Sequence, residues 1–213
     1  MEAPGIYEKI ARLKVIPVIT IEDTSKAIAL ADALINGGLP VAEITFRTPA
    51  AGEVMRIISR ERPDLLVGAG TILTVDHLKM AADCGARFGV APGFSEKIVQ
   101  AATDIHFPFS PGIMTPSEIQ AAIAMNIKVL KFFPAEAAGG SVMLRNIAAP
   151  FAHLGIKFIP TGGITPGNIM PYLEIPQVIA SGGSWIATKE DIATGNWEKI
   201  RKNCLEITQL VKR

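Results

Sequence analysis

Residues 41–60, VAEITFRTPAAGEVMRIISR, contain the pattern that predicts the fold of the whole chain. The run from Val41 to Thr45 is short and mostly apolar, as expected of a buried strand, and the run from Pro49 to Arg60 has the periodicity of a helix. Thr48 precedes Pro49, which suits a helix that begins with a side-chain cap and a proline in its first turn. The stretch therefore predicts one βα unit.

Short runs rich in Val and Ile recur along the chain and alternate with helical segments. The predicted strands are Val15 to Ile19, Val41 to Thr45, Leu65 to Ala69, Phe88 to Ala91, Phe107 to Phe109, Val129 to Phe132, Lys157 to Pro160 and Val178 to Ser181. The predicted helices are Thr24 to Asn36, Pro49 to Arg60, Thr74 to Asp83, Ser95 to Ala102, Pro116 to Met125, Ser141 to Ala149, Pro166 to Leu173 and Asn196 to Val211. This alternation is typical of a buried parallel sheet.

Eight βα units in 213 residues predict an α/β fold, a (β/α)8 TIM barrel in a single domain spanning residues 1–213. An open doubly wound sheet usually contains fewer strands. Ile6, Ile10 and Leu13 have helical spacing before the first strand, so we expect an extra N-terminal helix at the bottom of the barrel.

Charge and hydropathy exclude several classes of function. Lys plus Arg number 21 and Asp plus Glu number 20, so no bulk charge attracts nucleic acid or an anionic membrane. Nowhere do about 18 apolar residues run unbroken, and the residues after Met1 do not form the apolar segment of a signal peptide. We therefore expect a cytoplasmic protein that binds neither membranes nor nucleic acid.

The cysteines and histidines do not have the spacing of a metal site. Cys84 and Cys204 lie far apart, without a CxxC motif or a neighbouring histidine, so we expect reduced thiols. No ligand spacing joins the three histidines, which are His77, His106 and His153. The sequence thus predicts neither a metal nor a cofactor.

Charged residues inside predicted strands indicate where chemistry takes place. Both faces of a strand in a parallel barrel are buried, so a charge there needs a partner or a function. Glu43 and Arg47 share one face of the second strand with Val41, and Lys131 lies near the end of the sixth strand with Phe133 on the same face. Barrel enzymes carry their active sites at these strand ends. Lys131 is therefore the first catalytic candidate, and Glu43 is the candidate for acid–base work.

Simpler explanations exist for the same three charges. Lys131 could extend from the strand end to water, and Glu43 with Arg47 could form an internal ion pair that closes the barrel. Residues 132–134, FFP, can however desolvate the amine, and an inward carboxylate on another strand favours catalysis.

Glycine pairs follow the seventh and eighth predicted strands. The loops after these two strands form the common phosphate site of barrels, because backbone without side chains lets several N–H groups converge on one anion. The candidate substrate-binding residues in these loops are Thr161, Gly162, Gly163, Gly182, Gly183 and Ser184.

Tight turns complete the rim, at residues 68–71, 91–93 and 110–112. We expect the Thr71 hydroxyl to lie level with Arg47, where it can bind a substrate carboxylate, although it could instead cap the next helix. Pro92 in the second turn and Phe133 beside Lys131 are further substrate-binding candidates.

These motifs together resemble the bacterial 2-keto-3-deoxy-6-phosphogluconate (KDPG) aldolase family, also described as 4-hydroxy-2-oxoglutarate aldolases. The resemblance runs from about Val15 to the C-terminus. It is carried by residues 43–48 (EITFRT), 68–71 (GAGT), 131–136 (KFFPAE), 160–164 (PTGGI) and 182–185 (GGSW).

The resemblance implies a metal-independent class I aldolase in which Lys131 forms a Schiff base and Glu43 moves protons. It further implies that Arg47 and Thr71 hold the carboxylate of a small phosphorylated keto acid. The residues implied to bind its phosphate are Gly162, Gly163, Gly183 and Ser184.

In that family, KDPG is cleaved to pyruvate and D-glyceraldehyde 3-phosphate in Entner–Doudoroff catabolism, and 4-hydroxy-2-oxoglutarate would give pyruvate and glyoxylate. The resemblance also implies a homotrimer. Met114 and Ala138 depart from the familiar pattern, which could alter specificity at the edge of the pocket.

Other functions remain compatible with these residues. The substrate could be the galactonate epimer, cleaved by the same Lys131 chemistry. A phosphate-binding barrel isomerase or synthase would need no Schiff base. A catalytically silent phosphate-binding protein would use Lys131 and Glu43 as an internal pair.

Overall fold

The computed structural model describes residues 5–212, in which short strands alternate with helices. The strands are β1 (Val15–Ile19), β2 (Val41–Thr45), β3 (Leu66–Gly70), β4 (Phe88–Val90), β5 (Phe109–Ser110), β6 (Gly112–Ile113), β7 (Val129–Phe132), β8 (Lys157–Pro160) and β9 (Ser181–Gly183). The helices are α1 (Ile6–Leu13), α2 (Ala27–Asn36), α3 (Ala51–Glu61), α4 (Val75–Asp83), α5 (Glu96–Asp104), α6 (Pro116–Ala124), α7 (Gly140–Ala148), α8 (Met170–Leu173), α9 (Lys189–Thr194) and α10 (Trp197–Val211). The predicted α/β class is confirmed.

The paired strands run parallel and form two ladders. Six strands pair in the order β5-β4-β3-β2-β1-β9, and three pair in the order β6-β7-β8. Isolated bridges join Thr161 to Gly182 and Phe158 to Val178, so β8 lies beside the last strand of the larger ladder. Within residues 5–212, two ladders with nine short strands stand where the sequence predicts eight strands in one barrel.

Four predicted strands have wrong boundaries, two of them by only one residue at an end, since β3 and β4 stand where Leu65 to Ala69 and Phe88 to Ala91 were predicted, and the other two differ more. The run from Phe107 to Phe109 was expected to be one strand, but the structure has β5 and β6 on either side of Pro111, which has no N–H to donate to a ladder. The run from Val178 to Ser181 is replaced by β9, because residues 181–183 pair with residues 15–17 of β1.

The helices differ from the prediction mainly at two places. The predicted helix from Pro166 to Leu173 is reduced to the four residues of α8, because Asn168 Oδ1 accepts a hydrogen bond from the Thr165 N–H at 2.7 Å and holds a turn there. The short helix α9 was not predicted. Single turns of 3-10 helix, Thr24–Lys26 and Ala149–Leu154, adjoin α2 and α7.

The extra N-terminal helix is confirmed as α1. Its apolar residues Ile6 and Ile10 are buried, and it ends at Lys14, which has the left-handed conformation with φ of 61°. Tyr7 Oη lies 3.0 Å from Ser110 Oγ, and burial raises the pKa of Tyr7 to about 12. This hydrogen bond ties α1 to β5.

Two predictions about membranes and targeting concern different parts of the chain, and only the first falls on the described residues. None of the helices in residues 5–212 combines the length and the apolar content needed to cross a membrane. The residues after Met1, on which the expectation of no signal peptide depends, precede the described range.

Candidate active site

Lys131 lies on β7 with its amine among the ends of several parallel strands. Its side chain is 7% exposed, and Nζ donates a hydrogen bond to Glu43 Oε1 at 3.0 Å. The strand is fixed on both sides, since Lys131 pairs with Gly112 of β6 and with Ile159 of β8. The two charges that the sequence singled out are therefore brought into direct contact.

Glu43 occupies the middle of β2 and is buried, with a side chain that is 3% exposed. Gly70 on β3 leaves space for the Glu43 carboxylate, because an added Cβ at Gly70 would lie 2.3 Å from Glu43 Oε1. The sequence prediction treated Gly70 as a turn glycine and missed this contact. The sequence feature that could have revealed this contact is a glycine on the strand next to the one that carries the buried carboxylate.

Phe133 contributes an aromatic wall to the amine. Lys131 Nζ lies 5.6 Å from the centre of the Phe133 ring, within the range of a cation–π contact. The prediction that the segment after Lys131 shields the amine agrees with this geometry, because the ring covers one side of Nζ and Glu43 covers another.

Arg47 and Thr71 form the second pair that the sequence placed together. Arg47 Nε donates a hydrogen bond to Thr71 Oγ1 at 3.2 Å, and the Arg47 side chain is exposed. Thr71 has a left-handed backbone with φ of 58°. The alternative role of Thr71 as a helix cap is wrong, because the cap of α4 is Thr74, whose hydroxyl accepts from the His77 N–H.

The two glycine loops meet beside the Lys131 strand. Gly162 and Gly163 have φ of 105° and 76°, values that side chains rarely adopt, so the loop after β8 requires glycine at both positions. Gly182 pairs with Thr161, and an added Cβ at Gly182 would lie 2.5 Å from Thr161 Oγ1. The backbones of the two loops are therefore in close contact.

Two buried polar atoms at these loops lack a hydrogen-bond partner among the described residues. They are Thr161 Oγ1 and Trp185 Nε1. An added Cβ at Gly183 would lie 2.7 Å from Trp185 Nε1, so the indole packs directly behind β9, and Ser184 between them is exposed. Unpaired buried polar atoms are uncommon, which sets these two loops apart within the described residues.

Pro92 lies close to Gly112, which is on β6, the strand next to the one that carries Lys131. An added Cβ at Gly112 would lie 2.2 Å from the Pro92 carbonyl oxygen, and the Gly112 N–H donates to the Gly93 carbonyl at 3.1 Å. Gly112 pairs in turn with Lys131. The turn at residues 91–93 therefore lies against β6, the strand that pairs with β7, and the binding role of Pro92 stays a prediction.

The chemistry of the site is that of an amine, a carboxylate, the Arg47 guanidinium and neutral donors. No group of three or more His, Cys, Asp or Glu residues in the range 5–212 could hold a metal ion. An amine in contact with a carboxylate can act as a nucleophile whose proton is taken up by its partner, which is the arrangement needed for covalent catalysis on a carbonyl.

Comparison with known proteins identifies the family. The family model described as KDPG and KHG aldolase, where KHG is 4-hydroxy-2-oxoglutarate, matches residues 6–203. The chain belongs to this aldolase family. The resemblance inferred from the motifs is therefore confirmed, and so is the prediction of a lyase.

Curated relatives in the KDPG and KHG aldolase family match over nearly the whole chain. A 2-dehydro-3-deoxy-phosphogluconate aldolase of Haemophilus influenzae is 44% identical over 207 residues, covering 97% of each chain. A KHG/KDPG aldolase of Escherichia coli K12 is 39% identical, covering 93% of this chain and 92% of its own.

Solved structures of family members share the fold. A KDPG aldolase of Legionella pneumophila, captured with pyruvate as a covalent carbinolamine intermediate, has a TM-score of 0.90 and 39% identity, covering 95% of this chain and 97% of its own. A Zymomonas mobilis KDPG aldolase with 3-phosphoglycerate has a TM-score of 0.87 and 37% identity, covering 97% and 96%. These matches confirm the prediction of class I, Schiff-base aldolase chemistry in this family.

Proposed function

We propose that this chain cleaves KDPG to pyruvate and D-glyceraldehyde 3-phosphate through a Schiff base on Lys131, with Glu43 as the acid–base group. The observation that carries the proposal is the buried contact of 3.0 Å between Lys131 Nζ and Glu43 Oε1 at the strand ends. The Legionella relative with a covalent pyruvate carbinolamine supports the covalent route.

The first steps attach the substrate to Lys131. The neutral amine attacks the C2 ketone, its surplus proton passes to Glu43, and the ketone oxygen takes up a proton to give a carbinolamine. Loss of that hydroxyl as water leaves a protonated imine. Glu43 is in contact with Nζ and can supply the proton that the departing hydroxyl needs.

The imine then allows the carbon–carbon bond to break. The Glu43 carboxylate takes the proton of the C4 hydroxyl as the aldehyde forms, the C3–C4 electron pair moves to the imine nitrogen, and an enamine of pyruvate remains. Glu43 returns a proton to C3, and hydrolysis of the imine releases pyruvate and restores Lys131. No electron donor or acceptor outside the substrate is required.

The two ends of the substrate are proposed to bind to different groups around the carboxyl ends of the strands. Arg47 and Thr71, joined by their hydrogen bond, would hold the carboxylate, because a guanidinium and a hydroxyl are both donors to carboxylate oxygens. Pro92, Phe133 and Thr161 would border the carbon chain. The backbone groups proposed to take the phosphate are those of Gly162, Gly163, Gly182 and Gly183, with the Ser184 hydroxyl.

A second substrate is supported by the names of several relatives. The Escherichia coli relative is named KHG/KDPG aldolase, so we propose 4-hydroxy-2-oxoglutarate as an additional, unphosphorylated substrate. The exposed Met114, 42% accessible, and the half-buried Ala138 are proposed to adjust specificity at the edge of the mouth. Comparing the gluconate and galactonate epimers would test their effect.

We also propose that the strands form one closed (β/α)8 barrel in a single domain of residues 1–213. Pro111 alone separates β5 from β6, and the bridge from Thr161 to Gly182 connects β8 with β9, which supports closure on both sides. A homotrimer in the cytoplasm is proposed in addition. Exposed apolar side chains such as Leu73 and Met80 support a subunit interface.

Borohydride trapping tests the Lys131 assignment. The protein is incubated with pyruvate, reduced, digested and analysed by peptide mass spectrometry, with Lys131→Ala as the comparison. We expect one added mass on the peptide that contains Lys131 and none in the variant, which should also lose aldol cleavage. Folded parent protein that gives no adduct would favour the isomerase or binding-protein alternatives. Near-normal cleavage by Lys131→Ala would rule out the mechanism.

A further inference from the structure

The loop that follows β8 is fixed from inside by one side chain. Asn168 Nδ2 donates to the Gly163 carbonyl at 3.1 Å, and Asn168 Oδ1 accepts from the Thr165 N–H at 2.7 Å. The loop that follows β7 fixes the same segment from outside, where the Ala135 N–H donates to the Thr161 carbonyl at 2.9 Å. The proposed phosphate loop is thus held between two sets of contacts.

Glu136 lies beside the loop on the same outer side as Ala135. Its N–H donates to the Gly162 carbonyl at 3.0 Å, and an added Cβ at Gly163 would lie 2.7 Å from the Glu136 Cβ. Gly163 thus has both a positive φ and a close contact with Glu136, and each of these disfavours a side chain at this position. Glu136 is therefore in direct contact with the peptide groups of Gly162 and Gly163.

Tyr172 fixes the end of the Glu136 side chain. Tyr172 is buried on α8, and its Oη donates a hydrogen bond to Glu136 Oε1. Burial, and then the hydrogen bond to Glu136, raises the pKa of Tyr172, so the phenol stays a donor at neutral pH. An otherwise exposed glutamate is in this way anchored to a buried side chain.

We propose that Tyr172 and Glu136 are positioning residues for phosphate: their hydrogen bond holds Glu136 against Gly163 and so sets the N–H groups of Gly162 and Gly163. This inference rests on the proposed function, because it assumes that these N–H groups bind the substrate phosphate. It assigns neither residue to the bond-breaking steps, which occur at Lys131.

The variant Tyr172→Phe removes the hydroxyl and keeps the ring. Loss of one hydrogen bond to a carboxylate should raise the KM for KDPG about tenfold while kcat changes less than about twofold. For unphosphorylated 4-hydroxy-2-oxoglutarate, kcat/KM should remain within about twofold of the parent, because no phosphate has to be positioned. Glu136→Gln, which keeps an acceptor oxygen, should fall between Tyr172→Phe and the parent.

Tyr7→Phe is the matched control, because Tyr7 is the other tyrosine of the chain and also loses a hydrogen bond, to Ser110. It should lower thermal stability without changing the preference for the phosphorylated substrate. Equal losses of kcat/KM on both substrates in Tyr172→Phe would overturn the positioning role. A KM for KDPG in Tyr172→Phe that matches Tyr7→Phe would overturn it as well.

Binding of inorganic phosphate, measured by calorimetry on the full-length proteins, separates this inference from the proposed function. Weaker binding in Tyr172→Phe than in Tyr7→Phe supports the positioning role even if pyruvate gives no adduct on Lys131. Equal binding in the parent and both variants contradicts the positioning role and leaves the aldolase mechanism untouched.

Discussion

Lys131 and Glu43 lie 88 residues apart in sequence, on different strands, and their side chains are in direct contact. Burying two opposite charges costs a desolvation free energy that roughly cancels their attraction, so such a pair adds little net stability. The pair is therefore explained better by chemistry than by folding. Two kinds of variant test that explanation. One changes the proton affinity of residue 43 and keeps its shape, and the other displaces the Glu43 carboxylate.

Glu43→Gln should separate imine formation from proton transfer. The amide keeps an acceptor for Lys131 Nζ but cannot carry a proton through the cycle, so we expect kcat for KDPG to fall by about 10² to 10⁴. The pyruvate adduct on Lys131 should still be trapped by borohydride, although it should form more slowly, because Glu43 also supplies the proton for the loss of water. Steady-state kinetics and peptide mass spectrometry give the two readouts. An unchanged kcat would remove Glu43 from the mechanism.

Gly70→Ala tests whether space for the Glu43 carboxylate is essential. The new Cβ would lie 2.3 Å from Oε1 in the present geometry, so Glu43 must move, and displacement of a reacting group by about 1 Å can cost 10²-fold in rate. We expect a loss of kcat of about that size with a fold that persists. Gly5→Ala, just before α1, where an added Cβ meets nothing within 4 Å, is the control. Similar kinetics in the two variants would contradict the prediction.

At the scale of elements, the strands with apolar side chains were predictable and those without were not. The predicted bounds of β1, β2, β7 and β8 are confirmed, because short runs of almost continuously buried residues specify them locally. The β9 sequence is Ser-Gly-Gly, which has no side-chain pattern, and only its pairing with β1 makes it a strand. The contact of Tyr172 with Glu136 was likewise not predictable, since it joins a helix to a loop 36 residues away.

The start of α9 contains a buried carboxylate with several donors. Burial opposes ionisation of Asp191, but hydrogen bonds from Thr188, Lys199 and Asn196 outweigh it, so the pKa of Asp191 lies below its usual range. Because the folded pKa is lowered, the ionised side chain stabilises the fold above the unfolded value near 4, and this contribution is lost as pH falls through the folded value.

Asp191→Asn should therefore destabilise the protein at neutral pH and matter less in acid. We expect a loss of about 1.5 to 3 kcal/mol in the free energy of unfolding at pH 7, the range for hydrogen bonds to a charged group. Urea denaturation at pH 7 and at about pH 3 measures the difference, which should shrink at the lower pH. Glu190→Gln, an exposed neighbour in the same turn, is the control and should change stability by less than about 0.5 kcal/mol.

At the scale of the whole molecule, the contact between β8 and β9 is where the chain returns to its first strands. β9 pairs with β1, and one bridge, from Thr161 to Gly182, links it to the end of β8. The glycine is required there in the present geometry, because an added Cβ would lie 2.5 Å from Thr161 Oγ1 and 2.9 Å from Thr161 Cγ2. Closure of the proposed barrel therefore requires a residue without a side chain at position 182, opposite the Thr161 side chain.

A double-mutant cycle on Thr161 and Gly182 tests that closure. Gly182→Ala should lower the free energy of unfolding by about 1 to 3 kcal/mol through overpacking. Thr161→Ala removes both atoms that the new methyl group would meet most closely, so it should cost much less in the Gly182→Ala background than in the parent. Urea denaturation of the four proteins gives a coupling free energy that does not depend on enzymatic activity. A coupling near zero would mean that β9 moves away from β8 to make room, and the barrel would then be open along this pair of strands.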